Sequence, residues 1–446
     1  MALAKIDPNL LIDQAWTGTF YPPGREDLAF GGELLYSPTD GLKLRFAIPT
    51  SRDLGRDVRF LHGETASGIP CTLVGSFDPD NAGFSMHNGY SYRTADNGYP
   101  FSYVLFGAHV RDDTTFDTFR FDFTGSQHYF GPESSKRQIP FSNEILFSAA
   151  TNIGTFEVFH TGSFDFAPND LRAVLHDRDD LALSKLQSSY EAIRAEHPDF
   201  HPFLKKTLAF GFHLKATPDA AVIAACKACI RVADLFAVIS FSPTRLSSVW
   251  AIGRDDDGQR YSLPVVPSMI ADRDTIKRSL SDKSHHDLPL TMRDFDFSVV
   301  LPNWLKKRDN FDTEMSAIQS QGSTISPHDV LSSIVLSATQ LEGIGHHAGQ
   351  VRDRFGFSAR KYSSAKLIGE LASLLSCSEQ AIGEAISDLR NEIAHVGRPK
   401  NHLIRLKSRQ KYKVARLLEL VVVGYILEEV GVSIASRWKY QDNLIW

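Results

Sequence analysis

Leu389-Arg390-Asn391-Glu392-Ile393-Ala394-His395-Val396-Gly397 closes a helix whose register is written in its apolar residues. At 100° per residue, Ile382, Ile386, Leu389, Ile393 and Val396 fall within about 40° of one line, and that line must face a core. Asn391 and His395, four residues apart, lie roughly opposite and project together away from it. Arg390 sits on the flank, about 80° from the stripe, with a side chain long enough to curl toward them. Gly397 is a C-terminal stop and Pro399 prevents continuation. Working backward, Ser376 and Glu379 predict a capping box for this helix, and Lys366 to Leu375 reads as the one before it. Ser326-Pro327-His328-Asp329 starts a further helix, with a Ser cap, Pro in the first turn and an apolar stripe of Leu331, Ile334, Val335, Ala338 and Leu341. Trp304 to Gln319 is another, and a last one runs from about residue 402 to 435. Short connections between such helices predict an up-and-down bundle over residues 291–446.

The front of the chain has a different pattern. Of 30 phenylalanines, 19 precede residue 170, many alternating with polar residues, as in Phe119-Arg120-Phe121-Asp122-Phe123 and Phe164-Asp165-Phe166. Period-two alternation puts such aromatics on one face of a strand. Turn signals divide the runs: Pro22-Pro23-Gly24, Thr39-Asp40-Gly41, Asp78-Pro79-Asp80 and Asn97-Gly98. An antiparallel sandwich or barrel is expected over about residues 1–170. A mixed α/β extension follows, with a helix at Leu181–His197, a helix start at Thr217-Pro218-Asp219 (Thr cap, Pro first), and a hairpin of 247–254 with 259–266 closed by Asp255-Asp256-Asp257-Gly258. The fold class is therefore α+β. A β-rich region spans 1–290, with a division near 170–180, and an all-α bundle spans 291–446.

Composition narrows the function classes. With 446 residues, 42% hydrophobic and 23% charged, the chain is an ordinary folded one. Net charge is −5, which argues against a uniformly basic nucleic-acid binder, and four cysteines exclude a disulfide scaffold. The most apolar run, Leu417–Leu427, contains Glu419 and is too short to span a bilayer. Met1–Leu11 carries Asp7 and Pro8 and lacks a signal-peptide core, so a cytoplasmic protein with no membrane partner is expected. Charge is also divided: residues 291–446 hold 20 Lys and Arg against 17 Asp and Glu, leaving the rest of the chain acidic. The stretch Arg398–Arg416 contains eight basic residues and no acid, among them Arg398, Lys400, Arg405, Lys407 and Arg409.

An Arg, an amide and a His on one outward face, beside that basic run, suit RNA cleavage without a metal or cofactor. His395 would take the proton of a ribose 2′-hydroxyl, because an imidazole titrates near neutrality. Arg390 would hold the phosphate and stabilise charge on five-coordinate phosphorus, with Asn391 positioning one of the two. The basic run would attract the phosphodiester backbone. The products would be a 2′,3′-cyclic phosphate and a 5′-hydroxyl. With one His in the motif, a second chain would supply the acid across a two-fold interface. A bare Arg-x4-His arises about once by chance in a chain this long, so its context has to carry the reading.

Leu389–Gly397, set in a helical bundle, resembles the signature of the HEPN superfamily, an Arg followed by a polar residue and, five places after the Arg, a His. Ala338-Thr339-Gln340-Leu341-Glu342 is similar to the preceding HEPN helix, and the resemblance implies that Glu342 orients Arg390. Trp16-Thr17-Gly18, Gly32–Tyr36 with Gly41–Leu44, and Gly63–Gly68 with Cys71-Thr72-Leu73 resemble the opening of ApeA-like anti-phage proteins, which place a HEPN domain at the C-terminus. The resemblance implies an RNase effector of abortive infection, with transfer RNA a target, and an N-terminal region that senses a phage-derived trigger or restrains the nuclease. HEPN toxins silenced by a nucleotidyltransferase carry Tyr two places after the His. Gly397 stands there instead, so that control is not expected.

Other features have plainer readings. Cys226-Lys227-Ala228-Cys229 has CxxC spacing but no second pair, and core packing explains it better than metal or redox work. His346-His347 reads as a helix C-terminal cap, with a contribution to an RNA cleft as the alternative. His285-His286-Asp287 reads as a solvated loop, and Asp255–Gly258 as a turn rather than a calcium loop. The rival function is a non-catalytic RNA- or protein-binding dimerisation module. A glycan-active front half has no carboxylate pair to support it.

Overall fold

The Phe119–Phe123 alternation is fully realised: Phe119, Phe121 and Phe123 are at most 3% exposed, and Arg120 points to solvent. The computed structural model describes residues 6–87, 89–130, 144–175, 179–254, 257–280, 288–319, 327–395 and 397–445. Within these, the front of the chain forms β1 (Gln14–Tyr21), β2 (Phe30–Ser37), β3 (Gly41–Pro49), β4 (Val58–Thr65), β5 (Pro70–Phe77), β6 (Gly83–His87), β7 (Tyr90–Thr94), β8 (Tyr99–Pro100), β9 (Tyr103–Phe106), β10 (Thr115–Phe123), β11 (Ile145–Thr151) and β12 (Gly154–Phe166). The chain then makes β13 (Phe203–Ala221), β14 (Leu246–Arg254) and β15 (Arg260–Pro267). All are joined antiparallel along one path, β11-β12-β13-β10-β14-β15-β9-β5-β4-β1-β2-β3-β7-β6, with β8 on β3. The turn signals fall where the sequence placed them. Gly41, with φ +76, starts β3, and a Cβ there would lie 2.4 Å from Ser268 Oγ.

The sheet expected to end near residue 170 continues to Pro267 and takes in the later hairpin. Strand β13 pairs with both β12 and β10, and β14 pairs with β10, so the later strands are part of the same sheet. The hairpin of β14 and β15 is in the expected register, Arg254 opposite Arg260. Of its closing turn, Asp255 and Asp256 lie outside the described residues, as do His285-His286-Asp287 and Ser326. Thr217-Pro218-Asp219 does not start a helix. It lies within the span of β13, where pairing jumps from Lys215↔Thr118 to Ala220↔Phe116. Pairing across the sheet outweighs the local cap signal, and the helix begins only at Val222 with no side-chain cap. Phe166 is the other departure, 68% exposed.

The helices are α1 (Ser126–Phe130), α2 (Asp180–Glu196), α3 (Val222–Ser240), α4 (Arg273–Ser279), α5 (Phe297–Lys307), α6 (Asp312–Gln319), α7 (Pro327–His347), α8 (Arg354–Lys361), α9 (Ala365–Leu375), α10 (Ile382–Ala394), α11 (Asn401–Arg405), α12 (Ser408–Glu429) and α13 (Ile434–Leu444). Helix α3 carries Cys226 and Cys229, both fully buried, and burial pushes the Cys226 thiol up to about 12. They are packing side chains. Phe236 of α3 stacks against Phe123 at 4.6 Å and against Tyr129 at 4.9 Å, tying the helix to the sheet's aromatic layer.

Three bundle expectations change. The helix expected over Trp304–Gln319 starts earlier, at Phe297, and is broken by a 3-10 turn at Arg308–Phe311. Ser376 does not cap α10. It adopts a left-handed conformation (φ 54) that closes α9, and Ser378 caps the following turn by accepting from the Ala381 amide. The expected helix 402–435 is three helices, with Gly431 at φ +99 between α12 and α13 and Ser433 capping α13. The Leu417–Leu427 run is buried within α12, and among the described residues no helix is long and apolar enough to cross a membrane.

Helix α10 is seated on α8 with almost no clearance. A Cβ on Gly383 would lie 2.2 Å from Asp353 Oδ1 and 2.5 Å from the Gly356 nitrogen. Asp353 is itself fixed, capping α8 through Gly356 and pairing with Arg360. Gly383→Ala is therefore expected to destabilise the protein by about 1–3 kcal/mol, read as a lowered urea midpoint at unchanged m-value. An unchanged midpoint would mean that α8 and α10 separate freely.

Candidate active site

Helix α10 buries Ile382, Ile386 and Leu389, as its stripe requires, and leaves Arg390 and Asn391 half-buried on its flank. Arg390 Nη1 donates to Asn391 Oδ1 at 2.9 Å. Arg390 Nε is enclosed and makes no protein hydrogen bond. The Arg390–Asn391 contact fixes one edge of the guanidinium. Its other edge makes no hydrogen bond among the described residues.

The helix ends at Ala394, two residues short of Val396, the last position placed on the helical wheel. His395 is its C-cap, in extended conformation (φ −115, ψ 119), with its amide donating to Asn391 O at 3.0 Å. Its side chain is exposed, and among the described residues no hydrogen bond or ion pair holds the imidazole. Val396, counted in the stripe, lies outside the described residues.

Glu342 lies on α7 and lines an open cavity with Asp353, Arg354, Glu384 and Ser387. Ser387 stands three residues before Arg390, but among the described residues no ion pair joins Glu342 to that arginine. In this geometry the group touching the Arg390 guanidinium is Asn391.

The basic run divides in two. Arg405, Lys407 and Arg409 are exposed, and no ion pair holds them among the described residues. Arg398 is exposed and pairs loosely with Asp388 at 3.7 Å. Lys400 is turned inward, its ammonium donating to the backbone carbonyls of Glu392 and His395. Further along, Lys413 pairs with Glu370, and Arg416 pairs with Glu419 while covering the Phe241 ring at 3.9 Å. His346 and His347 form the exposed last turn of α7.

Sequence reasoning passed over Glu392. It is 4% exposed, and its two carboxylate oxygens accept from the amides of His402 (3.0 Å) and Leu403 (2.8 Å) at the start of α11. Burial alone would raise this carboxyl, but the backbone N–H bonds from His402, Leu403 and Asn401 outweigh it and hold it below its ordinary range. No local signal marked it: on the helical wheel Glu392 lies about 80° from the stripe, the same flank angle as Arg390.

Comparison with known families accounts for most of the chain. Residues 15–304 match the ApeA N-terminal domain 1, and residues 336–435 match the Apea-like HEPN domain. The chain belongs to the ApeA-like family. It is an anti-phage type of protein with an N-terminal antiparallel β-sheet region and a C-terminal HEPN domain. No curated protein and no solved structure matches it. The HEPN match spans Glu342, Arg390, Asn391, His395 and the whole basic run.

Proposed function

We propose that the protein is an abortive-infection effector whose HEPN domain cleaves RNA, with transfer RNA a target, at Arg390 and His395. The observation that carries this reading is an arginine bonded to its neighbour Asn391 and, five residues on, an exposed imidazole at the end of the same helix, inside a matched HEPN domain. HEPN domains are generally nucleases.

The chemistry follows from the geometry. His395 is free to accept the proton of a ribose 2′-hydroxyl. The 2′-oxygen attacks the adjacent phosphorus, the bond to the 5′-oxygen breaks, and that oxygen leaves with a proton. The Arg390 guanidinium stabilises the non-bridging oxygens, where negative charge grows. Arg405, Lys407 and Arg409 hold the flanking backbone. The leaving-group proton comes from the partner subunit's His395 in a two-fold homodimer. Glu342 acts through the adjoining helix surface. The N-terminal region receives a phage-derived trigger, and the protein works in the cytoplasm.

The test is cleavage of total RNA by the purified full-length chain, with the ends mapped. Ends carrying 2′,3′-cyclic phosphate and 5′-hydroxyl are expected, at a rate unchanged by EDTA. Ends carrying 5′-phosphate, or activity lost to the chelator, would indicate metal-assisted hydrolysis and overturn the mechanism. RNA bound but never cut would leave a binding module.

A further inference from the structure

His395 has to be held, and its side chain holds nothing. The chain instead fixes its backbone. The amide donates to Asn391 O. The carbonyl accepts from Lys400 Nζ at 2.9 Å, and more loosely from the Arg398 amide at 3.4 Å. The same ammonium also donates to the Glu392 carbonyl, so it bridges the last turn of α10 to the residue that ends it. Glu392 in turn reaches forward. Its carboxylate is buried against the first amides of α11, two and three residues beyond Lys400. Backbone and side chain of one residue therefore hold both sides of the turn.

We propose that Glu392 and Lys400 are positioning residues, a reciprocal clamp that sets the direction of the His395 imidazole, and that Lys400 is not a phosphate contact. The inference rests on the nuclease reading. Lys400 by itself does what a lysine at a helix C-terminus ordinarily does, satisfying two carbonyls and complementing the helix dipole. Two further facts favour a positioning role. Glu392, with both carboxylate oxygens bonded to amides at the next helix start, ties the end of α10 to the beginning of α11. The residue at the end of α10 is the exposed histidine to which the nuclease reading assigns the proton transfer, and a misplacement of about 1 Å at such a group costs on the order of a hundredfold in rate.

The clamp and a phosphate contact leave different kinetic marks. Lys400→Met keeps the length of the side chain and removes its donors. If Lys400 positions His395, kcat falls tenfold to a hundredfold, KM for RNA stays within about twofold, and the salt dependence of binding is unchanged. If Lys400 touches phosphate, KM rises, kcat holds and the salt slope shrinks by about one. The latter result overturns the proposal. Glu392→Gln, whose amide can accept through only one oxygen, is expected to reproduce the kcat loss. Lys400→Arg, which restores donors to the carbonyls, is expected to recover most of it.

The NMR signal of the His395 backbone amide, followed in the full chain without RNA, makes the test independent of turnover. In the parent it is expected to report one restrained conformation, bonded to Asn391 O. In Lys400→Met and Glu392→Gln it is expected to report a mobile one, with the melting temperature nearly kept. An amide equally mobile in all three proteins overturns the clamp even if the parent cleaves RNA. A parent that cleaves nothing but shows the restrained amide refutes the nuclease and leaves the clamp standing.

Discussion

His395→Ala is expected to slow RNA cleavage by roughly a hundredfold to ten-thousandfold and to leave the stability of the protein within about 0.5 kcal/mol of the parent. The two halves of that result have separate causes. The imidazole is the proton acceptor of the proposed step, and it stands exposed at the end of α10. The same exposure means the ring contributes no packing, and the backbone bonds of the capping residue survive its truncation. Arg390→Lys is the matching change on the phosphate side. It keeps the charge but loses the planar fork, and with it the edge that Asn391 holds, so a loss of about a hundredfold to a thousandfold in kcat is expected. Asn391→Ala should fall between the parent and Arg390→Lys, because it frees the guanidinium without removing it. A His395→Ala protein that cleaves RNA at the parent's rate, in an assay where a preparation lacking the protein does not, would move the chemistry off α10.

What the sequence made legible follows the range of the interactions involved. The stripe positions Ile382, Ile386 and Leu389 of α10 and the alternation of β10 are set within a few residues, and these appear in the structure as read. The strand β13 was not legible, because its length is decided by β10 and β12, far away in the chain. Helix α8 was missed for a related reason. It has eight residues, one of them Gly356, and its cap Asp353 adopts a left-handed conformation that no local preference announces. At the candidate site, Arg390, Asn391 and His395 were singled out because a residue pattern carries them. Glu392 was not, because its partners are backbone amides ten and eleven residues later, beyond a turn. Lys400 shows the converse. A charge within a basic run looks like part of a binding surface until its ammonium is seen to face two carbonyls.

The second large effect is expected where the sheet meets the bundle. Asp234→Ala on α3 should cost about 3–5 kcal/mol, measured by urea denaturation of the full chain. Asp234 is 5% exposed. Its carboxylate receives the Arg308 guanidinium at 2.7 Å and the Gln319 amide at 2.9 Å, one from the turn between α5 and α6 and one from the end of α6. Removing it leaves a guanidinium that is itself only 12% exposed with a single carboxylate partner, the largely solvated Asp312. Desolvation of the stranded charge, rather than loss of the pair's own attraction, sets the size of the effect. Asp312→Ala is the control. That side chain is 71% exposed, so its pairing with Arg308 is screened and its loss should cost no more than about 1 kcal/mol. The joint around Asp234 is continuous, since Trp304 Nε1 donates to Arg231 O at 2.7 Å and Tyr440 hydroxyl donates to Val238 O at 2.6 Å, both on α3. A single helix of the sheet region thus receives contacts from α5, α6 and α13. Helix α3 is thus one connection between that sheet and the bundle, beside the direct packing of Phe147 of β11 on Phe297 of α5 at 4.8 Å. Equal losses in the two variants would show that α3 is not held there by the buried carboxylate, and the sheet would then lack this route to the HEPN domain.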